Sequence, residues 1–480
     1  MSTVTVVASD ASVAIRPWVV SLEPGLTIHR KLSVNQPDAV ASGLRISRQI
    51  TYRDEPLFSV AEGAGYVYPG LLERVLLHLE DSGVDYQLVD VRTPVPPLDM
   101  SKVNVELRDG QPEIMQVMGT SRNGTIKAAT GLGKTETIVQ FVRACGRLKV
   151  AIVTFKGDVR DSIFDRVRAG CPEKTVCMIR AGSTVFGADV YVLASQSLHR
   201  LPEEDIDVVI IDEVHGAGAS ESFTHLCALA GKRVYGFSAT PEGRHDDSDL
   251  AVECLCGPIR ASLSYGFSVA SGANVPVYCY FYDAPGPTDL RSQPDFVRER
   301  RGIWANHARN RLIAHLSSQL AEDEQTLIVC RTAEHVLRLW QMLPSYSCVF
   351  RPPDAEREEA LSRWGLLPPG WKKHPGLLLN AERARRSFET GEIKKAICTP
   401  VWREGVDFKH LRWLVRADGT ANDIAAIQIG GRLARRVPGK EFAGLIDFWD
   451  GFSGFERRSS ARFRRYAEEG WHVERIRACL

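Results

Sequence analysis

Residues 121–141 read Ser-Arg-Asn-Gly-Thr-Ile-Lys-Ala-Ala-Thr-Gly-Leu-Gly-Lys-Thr-Glu-Thr-Ile-Val-Gln-Phe, and this stretch restricts the fold more than any other. Its centre, 128–135, fits the phosphate-loop pattern G-x-x-x-x-G-K-[ST], with Ala128 where the first glycine stands. Gly131 and Gly133 allow a tight turn that gathers backbone N–H groups on a phosphate. Lys134 brings a compact positive charge to the β- and γ-phosphates, and Thr135 offers a hydroxyl to Mg²⁺. The apolar periodicity of 137–142 predicts a helix whose N-terminal dipole faces the same phosphates. A glycine-rich turn before an ordinary helix would look similar, so the remaining motifs must decide.

They fall where a nucleotide site needs them. Residues 124–128, 150–154, 190–194, 207–211 and 233–237 are apolar runs separated by helical stretches. That alternation predicts a doubly wound parallel sheet. Polar residues follow the strands, at the end where such sheets bind ligands. The fourth run ends in Asp212-Glu213-Val214-His215 and the fifth in Ser238-Ala239-Thr240-Pro241. Asp212 is suited to a Mg²⁺ that bridges nucleotide phosphates, and Glu213 to orienting or deprotonating water. Two solvated acids at a helix start are the plain alternative.

The expected architecture is α/β. It comprises two RecA-like doubly wound parallel-sheet domains in tandem after a small α+β N-terminal domain. Expected boundaries are 1–95, 96–285 and 286–480, with a basic helix closing the last. Prolines in 92–99 read as a linker, so the remainder is expected to fold without residues 1–95. The second unit is expected to carry a long amphipathic helix over 302–320 and strands near 326–330, 395–399, 411–416 and 441–448. Residues 352–376, rich in proline and charge, read as an insertion or flexible loop.

The net charge of +1 gives no global attraction to polyanions, so nucleic-acid binding would have to come from local patches. No apolar run reaches the roughly 20 residues a membrane helix needs. Nothing at the N-terminus reads as a secretory signal. The eleven cysteines show no zinc spacing and suit a reducing compartment. The expected place is the cytoplasm, or the host cytoplasm if the chain is phage-encoded.

Near the C-terminal side, Gln428-Ile-Gly-Gly-Arg432-Leu-Ala-Arg435 places two arginines three apart on a predicted helix. Guanidinium groups suit a γ-phosphate, although an isolated pair could equally be a solvated face.

In this order and spacing, residues 105–450 resemble the superfamily 2 helicases and translocases with a DEVH quartet. The finer likeness is to the phage UvsW-type and XPB-like branch, through Ser-Ala-Thr-Pro-Glu and Cys256-Gly-Pro-Ile. The resemblance implies ATP and Mg²⁺ as cofactors, with Thr130, Gly131, Leu132, Gly133, Lys134, Thr135 and Glu136 around the nucleotide. Arg108 and Gln111 would read adenine, and Gly405 and Asp407 would complete the pocket. Lys134, Asp212, Glu213, Gln428, Arg432 and Arg435 would serve hydrolysis. His215, Ser238 and Thr240 would couple it to movement, and Lys156, Ser195, Arg331 and Thr399 would touch nucleic acid. The implied partner is a nucleic acid held mainly through its phosphates, DNA ahead of RNA, bound by a monomer with no membrane contact. Unwinding of branched or forked DNA is expected, and a duplex translocase of a restriction or remodelling system is the alternative. Cations in 1–95, among them Arg16, Arg30, Lys31, Arg45, Arg48 and Arg53, would grip a duplex arm.

Overall fold

The computed structural model describes residues 3–38, 45–129, 131–182, 187–219, 223–239, 248–287, 289–378, 380–402, 408–420 and 433–477. The chain divides into two compact units, Met1–Leu263 and Ser264–Leu480. Among the described residues no helix is long and apolar enough to cross a membrane.

The first unit is built on a seven-stranded sheet. Its order is Val176–Ile179, Val190–Ala194, Val150–Thr154, Val208–Asp212, Arg233–Ser238, Asn123–Ala128, Ile259–Leu263. Every pairing is parallel. Val150–Thr154 and Val190–Ala194 are buried along their whole length, because helices cover both faces.

A second, mixed sheet lies at the N-terminal end. Val4–Ala8 pairs parallel with Tyr86–Asp90 and antiparallel with Val13–Arg16. Thr27–Asp38 and Arg45–Pro56 form a separate antiparallel ribbon. This end is fused to the parallel-sheet unit. Val6, Ile15, Val75 and Leu79 belong to the same apolar core as Tyr191, Leu193, Val209 and Leu255. Gly70 packs so closely on helix Ser248–Cys256 that an added Cβ would lie 2.3 Å from the Glu253 carbonyl oxygen. Arg74 pairs with Glu253 at 2.5 Å, Arg122 with Asp10 at 2.9 Å, and Arg260 with Glu73. The proline segment is anchored too: Arg122 donates to the Thr93 carbonyl and Arg233 to that of Pro96. A free linker, and a motor that folds without residues 1–95, do not fit this shared core.

The second unit holds eight strands, all paired in parallel. The order is Leu377–Leu378, Ser347–Val349, Lys395–Cys398, Gln325–Val329, Leu411–Arg416, Ala443–Trp449, Val277–Asp283, His472–Ile476. Val277–Asp283 lies inside this sheet, so the unit begins ahead of the prolines near 285. His472–Ile476 adds a strand beyond the one expected to be last.

Two further expectations change. The single helix over 302–320 is a π turn, Arg300–Trp304, followed by a helix, His307–Ser318. Asn306 breaks the run, since its side chain accepts from the Arg309 N–H as an N-cap. Residues 352–376 are packed rather than loose: Leu361, Leu366 and Trp371 enter the same core as Ile328 and Ile397. The basic helix Glu456–Glu468 is partly core, because Arg462 is buried and donates from Nε and Nη2 to the two Asp447 carboxylate oxygens, each at 3.0 Å.

Candidate nucleotide-binding site

The loop after Asn123–Ala128 turns as the sequence requires. Gly131 and Gly133 have φ of 96° and 76°, a region that side chains with Cβ avoid. Ala128 is fully buried as the last residue of its strand, with no positive φ, so no glycine is needed there. Helix Lys134–Ala144 starts at Gly133 and points its free N–H groups at the loop.

Strand register sets the facing acids. Arg233–Ser238 lies between the loop's strand and Val208–Asp212. It pairs Ser238 with Lys127 and Phe237 with Asp212, so the three strands end together. Lys134 Nζ lies 3.5 Å from Glu213 Oε1. Glu213 Oε2 is 3.3 Å from His215 Nδ1, which also lies 3.0 Å from Ser238 Oγ. Lys134, Glu213, His215 and Ser238 thus form one polar chain across three strand ends. Glu213 has a φ of +53°, unusual for a residue with a side chain. Strain of this kind is held only where the surroundings enforce it.

Asp212 and Glu213 titrate as a pair. Burial and the neighbouring carboxylate push Asp212 up to about 7. Burial also acts upward on Glu213, but the Lys134 ammonium and His215 outweigh it and hold the carboxyl low. Two adjacent acids at one strand end, across from the Thr135 hydroxyl of the loop, fit a divalent cation. Among the described residues no cluster of three or more His, Cys, Asp or Glu could enclose a metal alone. That donor set suits Mg²⁺, which keeps waters and takes one or two carboxylates plus phosphate oxygens. Asp212 and the Thr135 hydroxyl would hold it, and it would neutralise phosphate charge.

Gln111 has a structural job that its sequence position did not reveal. Its Nε2 donates to the Leu132 and Gly133 carbonyls at 3.2 and 3.3 Å, and its Oε1 accepts from the Arg108 N–H. It braces the loop, and reading adenine would require it to release those carbonyls. The Arg108 side chain is exposed, and exposed Glu136 accepts from Gln140 at 2.8 Å. Lys156 caps helix Gly157–Gly170, while Ser195 is buried at a strand end. Thr130, Thr240, Gly405, Asp407, Gln428 and Arg432 lie outside the described residues. Arg435 is half-buried, and its backbone bridges to Asn274.

In the second unit the structure brings Arg331 and Thr399 together. They line one cavity of about 470 Å³ with Thr332, Arg351, Pro352 and Arg357. Arg351 and Arg357 carry no motif. Only the folding of 352–376 onto the core sets them beside Arg331.

Comparison with known proteins adds family context. The family described as Type III restriction enzyme, res subunit, matches residues 104–243. A protein of Acanthamoeba polyphaga mimivirus, named provisionally as an ATP-dependent RNA helicase, is 26% identical over 152 residues. The match covers 31% of this chain and 29% of the viral protein, so the chain spans under a third of that relative. A fragment assigned as the HsdR subunit of a type I restriction enzyme from Vibrio vulnificus shares the fold. It is 15% identical with a TM-score of 0.55, over 94% of this chain and 92% of the fragment. UvsW of phage T4 aligns over 99% of both chains at 14% identity, with a TM-score of 0.42.

Proposed function

We propose, from the premise that this chain belongs to superfamily 2 of the helicases and translocases, that it hydrolyses ATP to move along nucleic acid. The observation that carries this reading is the polar chain Lys134–Glu213–His215–Ser238 at the ends of adjacent parallel strands. Lys134 binds the terminal phosphates. Glu213, kept ionised by Lys134 and His215, accepts the proton of the attacking water. His215 passes the state of the site to Ser238 on the next strand. Gln428, Arg432 and Arg435 are read as serving hydrolysis, the two arginines through their charge and Gln428 through its amide. The arginine-lined cavity of the second unit binds strand phosphates, so binding should be salt-dependent and blind to sequence.

In this reading the substrate is branched or forked DNA, or an RNA–DNA hybrid, in replication, recombination or repair. The protein acts as a monomer in the cytoplasm. The antiparallel ribbon Thr27–Asp38 and Arg45–Pro56 carries Arg30, Lys31, Arg45, Arg48 and Arg53 in its sequence and is read as gripping a duplex arm through phosphates. A second reading is a duplex translocase of a restriction system that moves without separating strands. It is favoured by the res-subunit family match over 104–243.

The test is ATP turnover by the purified chain on forked, Holliday-type and RNA–DNA substrates, with strand separation and triplex displacement measured in parallel. Stimulated turnover with strand separation supports the first reading. Turnover with triplex displacement alone supports the second. Turnover indifferent to every nucleic acid overturns both.

A further inference from the structure

Beside the cavity of the second unit stands a tryptophan that the fold does not bury. Trp364 directly follows helix Ala355–Arg363 and is 44% exposed. The Arg300 guanidinium stacks over the indole, 4.2 Å from the ring centre. Arg300 is itself fixed: its Nε donates to both oxygens of the Glu334 carboxylate, at 3.1 and 2.9 Å. Glu334 is buried and also accepts from Arg338 at 2.8 Å. The ring is therefore held in place on one side while much of it stays open.

The braced ring ends the helix that carries one of the cavity arginines, Arg357. Glu334 sits next to Thr332 and Ala333, which line the cavity. Arg357, another lining residue, precedes Trp364 by seven positions. That is two helical turns, or about 10 Å along one side. Of the nearby acids, Asp354 also lines the cavity, and Glu358 and Glu359 pair with Lys372 and Arg363. Asp354 accepts from the Arg357 N–H at 2.9 Å, and Glu299 binds Arg331 at 3.0 Å and Arg458 at 3.1 Å. Arg331 has a 44% exposed side chain, so its ion pair is weak enough to exchange for a phosphate.

We propose that Trp364, braced by Arg300, is a stacking platform for one base of a single-stranded nucleic acid whose phosphates lie on Arg331, Arg351 and Arg357. The assignment rests on the reading of this chain as a nucleic-acid motor and adds the form of strand that the second unit holds. A ring face accepts any base, whereas a duplex keeps its bases stacked on each other. The surface therefore selects single strands without reading sequence.

The experiment uses the full chain and its Trp364→Ala, Trp364→Phe and Arg357→Ala variants, with thermal melting to confirm folding. Probes are a fluorescein-labelled oligo-dT, the same strand carrying one 2-aminopurine, and a duplex of equal length. Trp364→Ala should weaken oligo-dT binding about tenfold, the scale of one stacked base. It should remove 2-aminopurine quenching and leave the salt slope and duplex affinity unchanged. Trp364→Phe should restore most of the binding. Arg357→Ala should instead lower the salt slope by about one. Oligo-dT binding and quenching by Trp364→Ala equal to wild type overturn the assignment and leave the surface to a protein partner. A wild-type chain that binds none of the probes overturns the motor reading itself.

Discussion

Lys134 and Glu213 face each other across the strand ends, and each has a separable job. Lys134→Ala removes the cation proposed to meet the phosphates, from a side chain that is mostly enclosed but is no part of the apolar core. Nucleic-acid-stimulated ATP turnover should fall to background while the melting temperature stays near wild type. Wild-type turnover in the folded variant would sink the phosphate-loop assignment. Glu213→Gln keeps size and hydrogen-bonding capacity and loses the base. ATP with Mg²⁺ should therefore bind and persist unhydrolysed, which equilibrium binding of a fluorescent ATP analogue together with phosphate release would record. Lost binding would make Glu213 a structural residue. The placing of Lys134 opposite Glu213 was legible in the sequence because each residue lies in a short local pattern. The brace from Gln111 was not, since its contacts lie more than twenty residues away and follow from packing.

Elements were legible where periodicity was unmixed. Buried parallel strands announce themselves as unbroken apolar runs, and the five inner strands of the first unit lie within a residue or two of expectation, whereas the partly exposed edge strands Val176–Ile179 and Ile259–Leu263 were not foreseen. The 302–320 stretch misled because its apolar spacing continues through Asn306. There a side-chain cap competes with the helical backbone and restarts the helix. The stretch 352–376 misled in the other direction. Prolines and charges dominate it, yet a few anchors such as Leu361 and Trp371 suffice to hold it on the sheet. The shared core of the first unit makes its own prediction. Leu79 is fully buried in the cluster that also holds Leu193 and Leu255. Leu79→Ala should cost about 2–5 kcal/mol and lower one unfolding transition that includes the nucleotide site. Calorimetry with and without an ATP analogue would show it. A separate early transition that nucleotide does not move would mean that the N-terminal sheet melts alone. A chain beginning near Val103 should accordingly be poorly soluble.

At the scale of the whole molecule, the second unit carries charge in its interior, and this predicts acid lability. Asp418 is buried. Burial acts upward on it, but Arg416 and the Thr420 hydroxyl outweigh that and hold its carboxyl at about 2. Stability from a depressed carboxyl is present above the unfolded value near 4 and is lost as pH falls towards 2, on the order of 2–3 kcal/mol. His335 is buried and held at about 3, chiefly by burial and also by Arg309. Its tautomer follows from the network: Asn310 Nδ2 donates to the Trp304 carbonyl, so Asn310 Oδ1 must accept from His335 Nε2–H. The folded state thus prefers the neutral ring. Stability falls from about pH 6.5 downward, where the unfolded chain takes a proton that the folded one refuses. Urea midpoints should therefore drop steadily below pH 6.5, and His335→Gln should flatten the upper part of that fall. An unchanged slope in the variant would show that other groups set it. What the sequence by itself determined is the glycine turn of the loop, the acids at the strand end and the parallel sheets, because glycine turns, charged strand ends and apolar runs are local. What only the tertiary structure decided is the company those residues keep. The N-terminal sheet is fused into the first core, Val277–Asp283 and His472–Ile476 join the second sheet, Arg351 and Arg357 come to stand beside Arg331, and Arg300 stacks on Trp364. Such neighbours are chosen by the burial of apolar surface between segments distant in the chain, a choice that no local pattern encodes.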